Sequence, residues 1–176
     1  MDEMDETDQI DEIDETDEID VFQGSPEIFP KLEDNDKMGV YTGKIILEDR
    51  GGYEVFNITE KVKAEVEKSG LNKGIVNIFV PGATGALTTI EYEPGLIQDL
   101  KELLDRYIPP GRNYHHEKRW HDGNGHSHLR ASLVGPSISI PFVNKTLTLG
   151  TWQQIIFLEF DNKPHRRELV VQVVGE

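Results

Sequence analysis

The stretch GIVNIFVPGATGALTTIEYEPGLIQDL, residues 74–100, decides the fold of this 176-residue chain. It passes from a β-branched strand (74–80) through a glycine-containing loop (81–86) into a second strand (87–93), and Pro94 then opens a helix. Two strands followed directly by a helix predict a sheet with helices packed against it, and not an all-helical protein.

The sequence before this stretch predicts two more strands and a helix. Residues 39–49 and 53–56 are typical of strands and are predicted to pair as a hairpin across Gly51–Gly52. Asn57 and Glu60 have the spacing of a capping box, so a short amphipathic helix should follow and end at Gly70.

The sequence after it predicts a longer helix, a histidine-rich loop, a short helix and four strands. We expect Ile97, Leu100, Leu103, Leu104 and Tyr107 to form the buried stripe of the first helix. The second helix should begin near residue 127 and end at residue 135. Residues 137–143 and 146–150 are predicted as strands joined by a turn at 144–145, and 151–161 and 166–176 as a long hairpin. The fold class is therefore α+β: one domain with a large, mostly antiparallel sheet and about three helices.

Charge is distributed very unevenly along the chain. The net charge is -15, but the first twenty residues contain twelve Asp and Glu and no Lys or Arg, which leaves the remainder at only -3. Like charges repel, and the few apolar residues of this segment cannot offset the entropy of ordering it. We predict an acidic, largely disordered N-terminal arm over residues 1–37 and a single domain over residues 38–176.

The composition also excludes several classes of function. There are no cysteines, so disulfides and sulfur-ligated zinc sites are excluded. The domain lacks the excess of Lys and Arg that a nucleic-acid partner requires. No apolar segment approaches the roughly twenty residues that cross a bilayer. We expect a cytoplasmic protein with neither a nucleic-acid nor a membrane partner.

Five of the six histidines lie in the segment NYHHEKRWHDGNGHSH, residues 113–128. Imidazole and carboxylate groups in close succession are typical of a divalent metal site or a proton-transfer site. The predicted metal ligands are His121, Asp122, His126 and His128. Zinc is expected if His121, His126 and His128 converge, whereas Asp122 and Glu91 are candidate magnesium ligands. Loop histidines are also common as exposed polar residues.

Three further groups of residues are candidates for function. Glu91 and Glu93 alternate on a predicted strand; we expect Glu91 to act as an acid or base and Glu93 to cap the next helix. The loop that contains Thr84 and Gly85 resembles a backbone-lined anion site, although a plain turn is the simpler interpretation. The following residues complete the predicted substrate or phosphate site: Arg130, Trp152, Gln153, Arg166 and Arg167. Ion pairing with Glu159 or Asp161 is an alternative role for the last two arginines, and core packing for Trp152.

Three segments resemble one known family: residues 74–100, HSHLRASLVGPSISIPF (126–142), and LGTWQQIIFLEFD (149–161) followed by RRELVVQVVGE (166–176). They are similar to the YjbQ-like family, whose members are named secondary thiamine-phosphate synthase enzymes. The resemblance extends from about residue 38 to the C-terminus. It implies a compact α+β protein, usually a homotrimer, with a polar site near the subunit boundary.

The resemblance also carries over individual residues. The matching positions are Glu91, His128, Trp152, Gln153, Arg166 and Arg167. One family position differs, because many members have a histidine in the loop where this chain has 81–85. Any role of that histidine would have to pass to the histidine-rich segment.

The resemblance and the candidate residues together lead to an expectation of function. We expect an enzyme, a transferase of the thiamine-phosphate synthase type, that joins a pyrimidine diphosphate to a thiazole phosphate with His128 and Glu91 as catalytic residues. The alternatives are a zinc-dependent hydrolase of a small phosphate ester and a non-catalytic trimer that binds a metal or a small molecule. The expected partners are a small phosphorylated substrate and two further copies of the chain.

Overall fold

The computed structural model describes residues 38–176, so the acidic arm predicted for residues 1–37 lies outside the described residues. Eight strands and four helices follow one another along this part of the chain. Their bounds are β1 Gly39–Glu48, β2 Glu54–Asn57, α1 Thr59–Ser69, β3 Lys73–Phe79, β4 Gly85–Glu91, α2 Pro94–Tyr107, α3 Glu117–Trp120, α4 Gly125–Val134, β5 Ser137–Val143, β6 Thr146–Leu147, β7 Gln153–Glu159 and β8 Arg166–Gly175.

The strands form a five-stranded sheet in the order β1-β8-β3-β5-β6 and a three-stranded sheet in the order β2-β7-β4. Every pair of neighbouring strands is antiparallel. The α+β class and the mostly antiparallel pairing are therefore confirmed, and the strands are divided between two sheets.

Both predicted hairpins are wrong. β1 pairs with β8, whereas β2 pairs with β7, and β7 lies between β2 and β4 instead of beside β8. The physical reason is the difference in burial between the last two strands. β7 is buried on both of its faces from Ile155 onward, whereas β8 alternates between buried and more exposed side chains. A strand with both faces covered occupies the middle of the molecule, and a strand with alternating burial belongs to a sheet with one face toward water.

Two apolar clusters pack against opposite faces of β7. Ile155 and Phe157 belong to the larger cluster, which fills the space between the two sheets and α1. Ile156 and Leu158 belong to the smaller cluster, which also includes Leu104 of α2 and Ala131 of α4. Because successive side chains of a strand point to opposite faces, β7 fixes the positions of both layers.

The ends of the helices were predicted better than their buried faces. Gly70 ends α1 in the left-handed conformation, and Pro94 opens α2, as expected. The capping box is not formed, because Asn57 ends β2 and accepts a hydrogen bond from the N–H of Thr59. Of the stripe predicted for α2 only Leu104 is buried. Among the described residues, no helix is long and apolar enough to cross a membrane.

Candidate functional site

The loop between β3 and β4 contacts the start of β8, where Arg167 is the second residue of the strand. The Arg167 Nη2 atom donates to Thr84 Oγ1 at 2.8 Å. A Cβ atom placed on Gly82 would lie 3.3 Å from Arg167 Nη1, so this nitrogen faces the loop. Within residues 38–176, the N–H groups of Gly82 and Ala83 donate to no acceptor. The loop therefore offers free backbone donors next to a guanidinium group, the combination that binds small anions.

Glu159, the last residue of β7, holds the guanidinium of Arg167 in place. Arg167 Nε donates to Oε2 at 2.6 Å and Nη2 donates to Oε1 at 2.7 Å, and the N–H groups of Phe160 and Asp161 also donate to Oε1. The Glu159 side chain is fully buried, and burial raises the pKa of its carboxyl group. Four N–H donors, two of them from a guanidinium, point at the two oxygens and none of these groups accepts a proton, so we assign the pair as ionised.

His128 lies on the first turns of α4 and contacts the same loop. Its Nδ1 atom is 3.1 Å from the carbonyl oxygen of Ala83. A carbonyl oxygen only accepts, so in this contact Nδ1 carries the proton and Nε2 has a free lone pair when the ring is neutral. The histidine that contacts this loop is thus held in one tautomer.

A second imidazole lies against the ring of His128. The ring centroids of His116 and His128 are 4.7 Å apart, and the Nε2 atom of His116 is 3.5 Å from Asp122 Oδ1. Burial alone would raise the pKa of Asp122, but the backbone N–H of Asn124 and the ring of His116 hold it below its usual value. Asp122 is therefore a carboxylate close to His116, although within the described residues the buried Nε2 atom of His116 makes no hydrogen bond.

The turn at residues 122–125, between α3 and α4, is held by hydrogen bonds from two segments of the chain. Glu117 accepts hydrogen bonds from the N–H groups of Gly123 and Gly125. Asn124, which precedes α4, donates from Nδ2 to Asp161 Oδ2 at 3.2 Å. His165 Nε2 lies 3.2 Å from the same Asp161 oxygen. Burial would raise the pKa of Asp161, but its hydrogen-bond donors, first the N–H of Lys163, lower it.

His126 takes a different position from His128, although the two are close in sequence. It is buried, and burial and the nearby charge of Arg130 lower its pKa. Its Nε2 atom is 3.4 Å from Ser127 Oγ, and Ser127 donates to the carbonyl oxygen of Phe160. On a helix, residues two apart do not share a face, which is why these imidazoles point in different directions.

The four residues predicted as metal ligands are consequently not brought to one point. His121 is exposed at the end of α3, in the left-handed conformation, while His126 is directed into the core. In the part of the chain that the structure describes, no group of three or more His, Asp and Glu side chains has the geometry of a metal site. Zinc or magnesium binding at these positions stays a prediction.

Several other predicted site residues lie elsewhere. Glu91 pairs with Gln153 at the opposite end of the β4–β7 ladder, where Trp152 is 72% exposed. Six residues of strand separate this end from Gly85, about 20 Å, so within one chain Glu91 and His128 do not share a site. The interpretation of Trp152 as core is wrong.

The remaining predicted residues have structural partners or open surroundings. Arg130 is buried and donates to Asp105 Oδ1 and to the carbonyl oxygen of Ile108, so its donors tie α4 to the end of α2. Arg166 is exposed. Gly85 makes room for the ring of Phe157, because a Cβ there would lie 2.7 Å from Phe157 Cε2.

Four residues near His128 and Arg167 are not predicted as site residues from the sequence: His116, Asn124, Asp161 and His165. Each becomes important through a contact that is distant along the chain, and short-range spacing carries no signal for such a contact. The one available signal was the pair of acids at the end of β7, Glu159 and Asp161, which stand two residues apart after a wholly apolar run.

Comparison with known proteins identifies the family of the chain. Residues 43–176 match the family model described as UPF0047 protein YjbQ-like. A UPF0047 protein of Methanothermobacter thermautotrophicus is 37% identical over 79% of this chain and 95% of its own length. A crystal structure of a YjbQ-like protein of unknown function from Sulfolobus solfataricus covers 80% of this chain and 100% of its own, at 34% identity and a TM-score of 0.76. A hypothetical protein of Aeropyrum pernix gives a TM-score of 0.72 at 33% identity, over 77% of this chain and 99% of its own.

These relatives correct the function expected from the resemblance. They are described as UPF0047, hypothetical or of unknown function, and their descriptions assign no thiamine-phosphate synthase activity. The prediction of a condensation of a pyrimidine diphosphate with a thiazole phosphate is therefore wrong as a conclusion from the family. The family resemblance itself is confirmed by a match that spans β2 to β8 and by the shared fold: the chain belongs to the UPF0047, YjbQ-like family.

Proposed function

We propose that this protein is an enzyme that binds a small anionic substrate at the loop of residues 81–85 and moves a proton on it through His128. The observation that carries the proposal is the hydrogen bond from His128 Nδ1 to Ala83, since it joins a histidine with a defined tautomer to a loop with free anion donors. A phosphate or carboxylate group of the substrate is the anion that these donors fit.

The proposed proton transfer rests on the two adjacent imidazoles of His116 and His128, whose ring planes are tilted by 48°. With Nδ1 held by Ala83, the neutral ring of His128 presents the lone pair of Nε2 as the proton acceptor. His116 lies against it, and the Nε2 atom of His116 is 3.5 Å from the carboxylate of Asp122. Two adjacent rings in different environments are suited to acid and base roles in one reaction.

The binding part rests on Arg167. Its Nε and Nη2 atoms are occupied by Glu159 and Thr84, so Nη1 is the nitrogen left to face the loop. A guanidinium held by a buried carboxylate loses little side-chain entropy when an anion binds. The free N–H groups of Gly82 and Ala83 would complete the anion site.

The expected homotrimer is part of this proposal. Four apolar side chains stand in one row across the outer face of the five-stranded sheet: Val40, Val174, Ile75 and Pro141. Val40 and Ile75 are more than half exposed. A neighbouring copy that covered this row would bury apolar surface. Analytical ultracentrifugation of the wild type and of Ile75→Asp tests this assembly.

The enzymatic proposal can be tested without knowing the substrate. Wild-type protein in D₂O is incubated with a mixture of small phosphorylated and carboxylated metabolites, and mass spectrometry detects compounds that are converted or that take up deuterium. We expect at least one such compound, and a rate lowered by about 10²–10⁴ in His128→Gln, the range lost with a general acid or base.

The matched control is His115→Gln, because His115 is an exposed histidine of the same segment. It should leave the rate unchanged. The proposal is refuted if the wild type changes no compound, or if His128→Gln is as fast as His115→Gln. A parallel titration with inorganic phosphate, followed by NMR, should shift the amide signals of Gly82 and Ala83; unshifted signals would refute the anion site separately.

A further inference from the structure

The helix α2 has an apolar stripe that the rest of the described chain leaves largely uncovered. Its side chains recur at intervals of four, three and four residues, the spacing of a coiled-coil seam. They are Leu96, Leu100, Leu103 and Tyr107. Leu103 and Tyr107 are more than half exposed, and Leu96 is exposed as well. Because Leu104 is the one buried residue of α2, the helix presents more apolar surface than its own molecule buries.

The stripe faces away from α4. Side chains two residues apart on a helix point in nearly opposite directions, because each residue turns the chain by about 100°. Asp105, two residues after Leu103, accepts a hydrogen bond from Arg130 of α4 at 2.7 Å. α4 therefore lies on one side of α2, and the stripe lies on the other.

Two opposite charges border the stripe, Asp99 and Arg106. They are seven residues apart, so they lie on the same edge of the stripe, about 10 Å from each other along the helix axis. Both are exposed, and within residues 38–176 neither is part of a salt bridge. The other charges along α2 lie on different faces, since Lys101 pairs with Asp105 and Glu102 accepts a hydrogen bond from Gln98.

We propose that α2 pairs with the α2 helix of a second copy of this chain, antiparallel to it and across a two-fold axis. In a two-fold contact, residue i of one copy faces residue j of the other, and j faces i. An axis between residues 101 and 102 places Leu96 against the second copy's Tyr107, and Leu100 against the second copy's Leu103. Every apolar residue of the stripe then has an apolar partner.

The bordering charges favour the antiparallel orientation. The same axis brings Asp99 of each copy close to Arg106 of the other, so two ion pairs form by symmetry. A parallel pair would bring equal residues to the same height and would form neither ion pair. Exposed ion pairs add little to the affinity, but they discriminate between the two orientations. The surface is thus complementary to itself in both shape of apolar pattern and charge.

This contact is separate from the trimer proposed above. α2 packs on the smaller apolar cluster, on the far side of the three-stranded sheet from the five-stranded sheet. The row that contains Ile75 is on the outer face of the five-stranded sheet, so one copy can use both surfaces. Trimers that also pair through α2 would close into assemblies of six chains. The α2 contact requires neither the trimer nor the proposed enzyme activity.

Cysteine crosslinking tests the contact and its orientation, because the chain contains no cysteine of its own. Full-length protein carrying Asp99→Cys is mixed with protein carrying Arg106→Cys and oxidised mildly. We expect disulfide-linked pairs in the mixture and few in either variant alone, since only positions that lie close together can form the bond. The matched control is Glu102→Cys mixed with Arg106→Cys, because Glu102 is an exposed acid on another face of the same helix. Equal crosslinking in the two mixtures, or none in either, would overturn the proposal.

Analytical ultracentrifugation tests the apolar part of the contact. Leu103→Glu should halve the mass of the wild-type assembly, because it places a charge in the middle of the seam. Leu133→Glu changes an exposed leucine of α4 and should not halve it. The same comparison in an Ile75→Asp background, where the trimer is lost, should give a change from two chains to one. A wild-type mass kept by Leu103→Glu, or a mass halved by both variants, would overturn the proposal, and circular dichroism verifies that each variant is folded.

A charge swap tests the ion pairs. Asp99→Arg places like charges together in the antiparallel pair and should shift the assembly toward its halves. Adding Arg106→Asp to the same chain restores opposite charges and should restore the wild-type mass. A double variant that dissociates more than Asp99→Arg alone would contradict the antiparallel arrangement.

Discussion

Both ends of the β4–β7 ladder contain residues that the sequence predicts to be functional. The two ends differ in burial and in hydrogen bonding. At the Gly85–Glu159 end, Thr84, Arg167 and Glu159 are buried and hydrogen-bonded to one another. At the Glu91–Gln153 end the predicted residues are exposed. The difference shows that strand register, which cannot be read from a list of polar residues, decides which of them can act together.

The largest expected effect contrasts Arg167 with its neighbour Arg166. Arg167→Met would leave the buried carboxylate of Glu159 without its guanidinium, which should lower the free energy of unfolding by about 3–5 kcal/mol. Arg166→Met removes an exposed charge and should change it by less than about 0.5 kcal/mol. Urea denaturation measures both. Equal effects would mean that the ion pair does not stabilise the buried end of the ladder.

The next effect concerns two glycines, one at the buried end of the ladder and one near the open end. Gly85→Ala would push a methyl group into the ring of Phe157 and should cost about 1–3 kcal/mol of unfolding free energy. Gly150→Ala places its Cβ at an ordinary distance of 3.8 Å from Gln153 and should change stability by less than about 1 kcal/mol. A thermal denaturation series that ranks Gly150→Ala as the more damaging change would contradict this description of the two ends.

Local sequence signals predicted the elements of the fold but not their partners. Gly70 and Glu93 mark helix ends through short-range hydrogen bonds, and Asn144–Lys145 forms the expected turn with positive φ angles at both residues. The pairing of β7 with β2 and β4 depends on burial of both of its faces. A run of apolar residues is compatible with that arrangement but also with a hairpin, so the two hairpins were predicted wrongly.

The candidate site shows the same limit. The loop at Thr84, the imidazole of His128 and the guanidinium of Arg167 were singled out by residue type, and the structure brings them together. His116 and Asp161 were not, because their positions follow from the packing of α3 and the β7–β8 loop against α4. Residue chemistry nominates candidates, and only tertiary contacts between distant segments select among them.

A third test compares two glutamates at the open end of the ladder. Glu93 accepts hydrogen bonds from the N–H groups of Gly95 and Leu96 and thereby caps α2. Glu93→Ala should cost about 1 kcal/mol of unfolding free energy, the usual value for a lost N-cap. Glu91→Ala, at an exposed strand end, should cost less than about 0.5 kcal/mol. Urea denaturation that finds no difference between the two variants would rule out the capping role.

The smallest effect returns to the buried end and concerns the dependence of stability on pH. Burial and Arg130 lower the pKa of His126 in the folded protein, whereas the unfolded chain has the ordinary value of about 6.5. Below pH 6.5 the unfolded state therefore binds the proton first, and the unfolding free energy falls as the pH falls. At pH 6.0 this loss is at most about 0.8 kcal/mol relative to pH 8. Urea denaturation at the two pH values should show a smaller loss in His126→Gln than in the wild type, and His115→Gln, an exposed control, should match the wild type. A loss in His126→Gln as large as that of the wild type would mean that the buried imidazole titrates normally and that the core beneath α4 is open to water.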